Sequence, residues 1–389
     1  MDEFSHIDVD RIMTNQLRME VGVISLNRPN ALNALDSSMI QGLKSILKKW
    51  AYDDRIELII IKGKGQRAYC AGGDIKALHD AGNVQFLADE YRLDFALHDY
   101  PKPIVHLMHG YVMGGGVGLM STGRLKICTH DADFAMPETA IGFFPDVGVR
   151  HQLARMPLGL GAWFGMTGAR MKPQLAKALG LVDCILPPQD RSLMIVRLYE
   201  FISKWSRRDG ELVDCLRQWV EKSMVEYQKE EGIPPSPPAP ADQEYDPILD
   251  TIPKAIRDWC DFYWDYPHIP WVEDLLSNAK HFHNACEDLF LMSPRGIDAV
   301  SPLSLCVTDI LLRRAKDQSL EQVFNEDYWA AAKLYKEGDL REGVCAKVID
   351  KREPNWQYDF DDINQAVRQA YTPPEMMAQV LRQKIRWDE

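Results

Sequence analysis

The chain has 389 residues, 46% hydrophobic and 26% charged, a composition that supports a folded protein of two or more packed units and excludes global disorder. Its formal net charge of -12 argues against non-specific nucleic-acid binding, which needs a basic face. No run approaches the roughly 20 apolar residues of a membrane span.

The opening Met1-Asp2-Glu3-Phe4-Ser5 is acidic and lacks an apolar stretch, and Arg11 and Arg18 are few for a transit peptide. The expected location is the cytoplasm, with the mitochondrial matrix after processing as the alternative. Eight cysteines without a Cys-x-x-Cys predict reduced, mostly buried thiols.

Val21–Leu26 reads as a strand, stopped by Asn27-Arg28-Pro29-Asn30. Asp36 is placed to cap a helix whose apolar positions include Met39, Leu43, Ile46, Leu47 and Trp50. Strands follow at 56–61, 103–108, 124–128 and 134–136, with helical spacing between. This alternation predicts an α/β layered core of stacked β-β-α units. From about 190 the pattern turns helical, over 191–228, 272–294, 303–338 and 361–386. The proline-rich stretch 233–242 reads as an extended surface connector. The expected division is a core at 12–190 and a helical region at 191–389.

Two glycine clusters each follow a strand and precede a helical stretch: Ala71-Gly72-Gly73-Asp74-Ile75 and Gly114-Gly115-Gly116-Val117-Gly118. Glycine there allows positive φ and close ligand approach, and helix starts present unpaired N–H groups. Two such loops converging would make a two-donor hole for an oxyanion. Neither cluster fits a P-loop or a Gly-x-Gly-x-x-Gly fingerprint, and no Gly-x-Ser-x-Gly elbow is present. His281-x-His283 with Cys286 could suggest a metal, but residues two apart face different sides of a helix and no second cluster matches.

The order Asn27–Leu35, Ala71–Ile75, Gly114–Gly116 and Met136-Pro137-Glu138 resembles the crotonase (enoyl-CoA hydratase/isomerase) superfamily. The resemblance implies a crotonase-like spiral, with the N–H groups of Gly73 and Gly115 binding a CoA thioester carbonyl. It implies that the loop Gly73 to Lys76 lies along the CoA, with Ala31, Ala71, Asp74, Ile75 and Lys76 among the contacts. Hydratases of the family carry two glutamates, and the first of those positions is Gly118 here.

Met113–Leu119, Met136–Gly142, Phe144-Pro-Asp-Val-Gly148, Ser301–Ser304 and Glu342–Lys351 resemble the 3-hydroxyisobutyryl-CoA hydrolase subgroup. That likeness implies hydrolysis of a short 3-hydroxyacyl-CoA, with Glu138 and Asp146 catalytic and Glu90 against the substrate. Glu138 would attack the thioester directly or deprotonate a water, and Asp146 would accept from the 3-hydroxyl. No metal or redox cofactor is implied; CoA is part of the substrate, and self-association fits the family. Blander roles exist for each acid: a surface or capping carboxylate for Glu138, a helix N-cap for Asp146, an ion pair with Arg92 for Glu90. The rival functions are an enoyl-CoA hydratase or isomerase, and an acyl-CoA-binding protein without turnover.

Overall fold

The computed structural model describes residues 6–16, 18–233, 247–265, 290–291, 300–374, 381 and 385–387. β1 (Ile7–Met13) and β2 (Glu20–Leu26) pair antiparallel and lead to α1 (Ser37–Ala51). Asp36 caps α1 by accepting from Met39 N at 2.9 Å, and the five expected apolar positions are all buried.

The chain then repeats one device: a strand in a first sheet, a short strand in a second, then helix. β3 (Ile56–Gly63) and β4 (Ala68–Cys70) lead to α2 (Ile75–Ala81) and α3 (Gln85–His98). β5 (Ile104–Met108) and β6 (Tyr111–Met113) lead to α4 (Gly115–Ser121). β7 (Leu125–Cys128) and β8 (Asp133–Ala135) lead to α5 (Arg150–Leu153) and α6 (Leu160–Thr167). β9 (Arg170–Met171), α7 (Pro173–Ala178), β10 (Cys184–Ile185) and, much later, β11 (Phe290–Leu291) complete the sheets. Their orders are β1-β2-β3-β5-β7-β10 and β11-β9-β8-β6-β4. Strands β2 to β10 of the first sheet run parallel, as do β4, β6 and β8 of the second. This is the expected spiral of β-β-α turns. β1, β4 and β6 went unread: two are three residues long, too short to show a period, and β1 alternates charge with single apolar residues.

Both faces of the first sheet are covered. Val21, Val23, Leu58, Ile60, Val105 and Leu107 point to an outer core closed by α8 (Arg191–Lys204) and α9 (Leu212–Glu230). Ile24, Leu26, Ile59 and Ile61 point to the inner core. Burial on both sides explains the near-continuous apolar runs. The inner core also takes in α10 (Lys254–Asp265), α11 (Pro302–Ala315), α12 (Leu320–Glu337) and α13 (Leu340–Val344).

The helical region differs in detail from its sequence reading. The stretch 191–228 is two helices, broken where Trp205 turns extended. The stretch 303–338 breaks before Ser319, which forms a capping box with Gln322. After 361 the described helix is α14 (Gln365–Ala370), ending short of Pro373-Pro374, as prolines dictate. Residues 290–291, expected as helix, are strand. The connector at 234–242, the rest of 272–289, His281, His283 and Cys286 lie outside the described residues. Among the described residues no helix is long and apolar enough to cross a membrane.

Candidate active site

Two loops are fastened side by side. Ala71 N donates to Leu32 O at 3.0 Å, Leu35 N to Gly72 O at 2.8 Å, and Asp74 N to Leu35 O at 2.7 Å. Asn33, fully buried at φ 56°, secures the first loop: its Oδ1 accepts from Arg28 N, and its Nδ2 donates to Lys64 O and Ala68 O. The second glycine loop enters α4 through Gly114, at φ 52°. A Cβ at Gly115 would lie 3.2 Å from Gly73 N, and one at Gly72 would lie 3.4 Å from Gly115 N. Both amides therefore open on one small space. Among the described residues neither donates to a protein acceptor. An acyl oxygen placed there would meet two ready donors.

A cavity of about 260 Å³ surrounds that space. Gly73, Gly115, Glu90, Glu138 and Asp146 all line it, with Leu87, Ile141, Phe143 and Val147 supplying apolar wall. A Cβ at Gly115 would sit 2.2 Å from Glu90 Oε1, and one at Gly114 would sit 2.6 Å from Glu138 Oε1. The two glutamates thus flank the amide pair. Asp146 Oδ2 accepts from the Tyr91 hydroxyl at 2.5 Å.

The electrostatics follow first from burial. Desolvation, reinforced by the charge of Asp146 and for Glu90 also by Asp94 and Glu138, pushes Glu90, Asp94 and Glu138 well above the usual carboxylate range. Asp146 is pushed up to about 7: burial raises it, the Tyr91 hydrogen bond opposes that, and Asp327 and Arg150 act in opposite senses. Glu90 Oε1, Glu138 Oε2 and both Asp94 oxygens are buried without a partner. Four carboxyls so placed cannot all ionise, and they titrate as a coupled set.

The blander roles for these acids do not describe them. Glu138 is 7% exposed and opens a 3-10 turn, Glu138–Ile141, with no side-chain cap. Asp146 caps nothing: α5 begins at Arg150 without a side-chain cap. Arg92 pairs with Asp89 rather than Glu90.

The expected CoA contacts divide. Ala71 and Ile75 line the cavity beside Gly73. Ala31, Asp74 and Lys76 lie beyond its lining, the first two half-buried and Lys76 exposed. Asp74 caps α2 through Ala77 N at 3.0 Å and pairs with Arg28 at 2.7 Å. At Gly118 a Cβ would lie 2.5 Å from Val147 Cβ and 3.1 Å from Asp94 Oδ2, so neighbours already fill the room for a side chain.

Four residues of this neighbourhood were not singled out from sequence: Tyr91, Asp94, Arg150 and Asp327. Tyr91 and Asp94 share α3 with Glu90, at its i+1 and i+4 positions. The i, i+4 spacing of two acids that share a face of the helix with Phe86, Leu87 and Leu97 was the available signal. His106, in β5 ahead of the second glycine loop, is buried and bonded to the Tyr69 hydroxyl at 2.7 Å.

Comparison with known proteins adds a second line. The sequence profile described as enoyl-CoA hydratase/isomerase matches residues 21–371. The 3-hydroxyisobutyryl-CoA hydrolase, mitochondrial, of Danio rerio is 32% identical over 345 residues, 87% of this chain and 83% of that protein. The protein of the same name from Bos taurus is 33% identical, over 86% of this chain and 81% of its own length. Among solved structures, an enoyl-CoA hydratase from Rhodobacter sphaeroides 2.4.1 superposes with a TM-score of 0.70 at 29% identity, covering 95% of this chain and 98% of that one. A carnitinyl-CoA dehydratase from Mycobacterium thermoresistibile gives 0.68 at 29% identity, covering 95% and 97%.

Proposed function

The chain belongs to the enoyl-CoA hydratase/isomerase family, and from that premise we propose that it hydrolyses 3-hydroxyisobutyryl-CoA to 3-hydroxyisobutyrate and CoA, a step of valine breakdown. The observation that carries the reading is the acid inventory around the amide pair. Glu138 stands beside the Gly114–Gly115 loop, while the other glutamate position of the hydratase pattern is a glycine overlaid by Val147. The names of the relatives from Danio rerio and Bos taurus support the same activity.

In this reading the thioester oxygen accepts from Gly73 and Gly115 N–H, which withdraws electrons from the carbonyl carbon. Losing either donor would cost about 3 kcal/mol of barrier stabilisation. Glu138 then acts by one of two routes. Its oxygen bonds to the carbonyl carbon, the C–S bond breaks, and water cleaves the resulting anhydride. Alternatively it takes a proton from a water that attacks, and returns that proton to the leaving sulfur. Asp146, steadied by Tyr91, accepts from the 3-hydroxyl. Glu90, beside Gly115 in the same cavity, would face the thioester. CoA would run along Ala31 and the Ala71–Lys76 loop, and no further cofactor enters. The mitochondrial relatives support the matrix over the cytoplasm as the place of action.

The test is thiol release from 3-hydroxyisobutyryl-CoA beside isobutyryl-CoA and crotonyl-CoA. Fast release favouring the hydroxyacyl ester is the expected result. Consumption of crotonyl-CoA without thiol release would replace the hydrolase with a hydratase.

A further inference from the structure

Asp146 stands at the head of a turn that the backbone does not favour. Val147 has φ 51° and Gly148 φ 73°. The left-handed region is rare for any side chain and least suited to a β-branched one, so such a residue persists only where its surroundings hold it.

The hold comes from the far end of the chain. Asp327, on α12, accepts from Gly148 N at 2.8 Å through Oδ2, and from Arg150 Nε at 2.7 Å through Oδ1. Arg150 reaches on to Leu311 O on α11 at 2.5 Å and Val323 O on α12 at 3.1 Å. Asp327 and Arg150 are both fully buried. The ring of Phe324, next to Gly148, leaves no room for a side chain there. α12 thus pins the turn through Gly148, while the Tyr91 hydroxyl, its ring edge-on to Phe324 at 6.1 Å, holds Asp146 itself.

We infer that Asp327 is a positioning residue for substrate recognition: by fixing the backbone at Gly148 it sets the direction in which Asp146 meets the 3-hydroxyl of the acyl group. The inference rests on the Asp146 role proposed above. Without the carboxylate at 327, Val147 relaxes out of the left-handed region and carries Asp146 with it. The Tyr91 hydroxyl alone cannot restore the direction, because one hydrogen bond leaves the turn free to swing about it. The amide pair and Glu138 belong to other loops and keep their places. The loss therefore falls on hydroxyl recognition and spares cleavage of an ester that has no hydroxyl.

The experiment compares kcat/KM for 3-hydroxyisobutyryl-CoA with that for isobutyryl-CoA in the wild-type protein, Asp146→Asn and Asp327→Asn. Both variants are expected to lower the ratio at least about tenfold, since a site built for a hydroxyl loses far more than an apolar one when that contact fails. Isobutyryl-CoA cleavage by Asp327→Asn should stay near the wild-type rate. A ratio that falls in Asp146→Asn but not in Asp327→Asn overturns the inference and leaves the Asp146 role standing. A ratio unchanged in both removes that role and the inference with it. Asp327→Asn leaves the buried Arg150 with only the more distant Glu326, at 4.0 Å, as counter-ion and could prevent folding. Asp327→Glu is therefore read alongside it, since it keeps a negative charge beside Arg150 while moving the carboxylate from its place against Gly148 N, with the same two outcomes.

Discussion

The Tyr91 hydroxyl donates to Asp146 Oδ2 across 2.5 Å, from a helix 55 residues upstream. It is the one side-chain hydrogen bond recorded for Asp146 among the described residues, in a pocket where the neighbouring acids push the other way. That contact decides how much of Asp146 is ionised near neutrality.

Tyr91→Phe removes a donor that favours the carboxylate, so the Asp146 pKa should rise above its value of about 7. If the ionised form receives the substrate hydroxyl, the acid limb of kcat/KM for 3-hydroxyisobutyryl-CoA moves to higher pH. The profile for isobutyryl-CoA should not move. A pH series with both esters checks this, and equal shifts for both would refute it.

Asp146→Asn should alter the pH dependence of stability. A carboxyl whose folded pKa is raised favours the folded state while protonated, and that advantage is lost as pH rises through about 7. The wild-type protein should therefore lose melting temperature relative to the variant between about pH 4 and 7, with the gap level above that. Parallel melting curves across that range would show that Asp146 does not titrate there.

Glu138→Gln keeps the side chain's shape and removes its basicity. Thiol release should drop roughly 10²–10⁴-fold, while CoA affinity measured by calorimetry stays close to that of the wild type. Near-normal turnover would dismiss Glu138 from the chemistry.

Gly115→Ala places a Cβ 2.2 Å from Glu90 Oε1. The amide must shift or Glu90 must leave its pocket. The expected loss is about 10²–10³-fold in kcat with little change in KM, because the donor matters most to the developing oxyanion. A rise in KM alone would point to ground-state binding instead.

The legible part of the molecule was what lies contiguous in the chain. Gly73, Gly115, Glu138 and Asp146 sit in short runs with glycine or proline beside them, and those residues punctuate a sequence visibly. The strands that carry the layers were equally plain, since residues such as Ile59 and Ile60 face opposite cores and leave long apolar runs. The Asp327–Gly148 contact could not be read, because 179 residues separate its ends and nothing local in α12 announces it. The break before Ser319 was readable in principle: Ser319-Leu-Glu-Gln322 is a capping box. Four polar residues, Lys316 to Ser319, interrupt the apolar spacing there as well.

Gly118 and the turn at Asp146 share one space. Any side chain at 118 meets Val147 at 2.5 Å, and Val147 is part of the turn that presents Asp146. A glutamate placed at 118 therefore requires the turn to be rebuilt, so in this fold an acid at that position and the Asp146 turn as it stands are mutually exclusive.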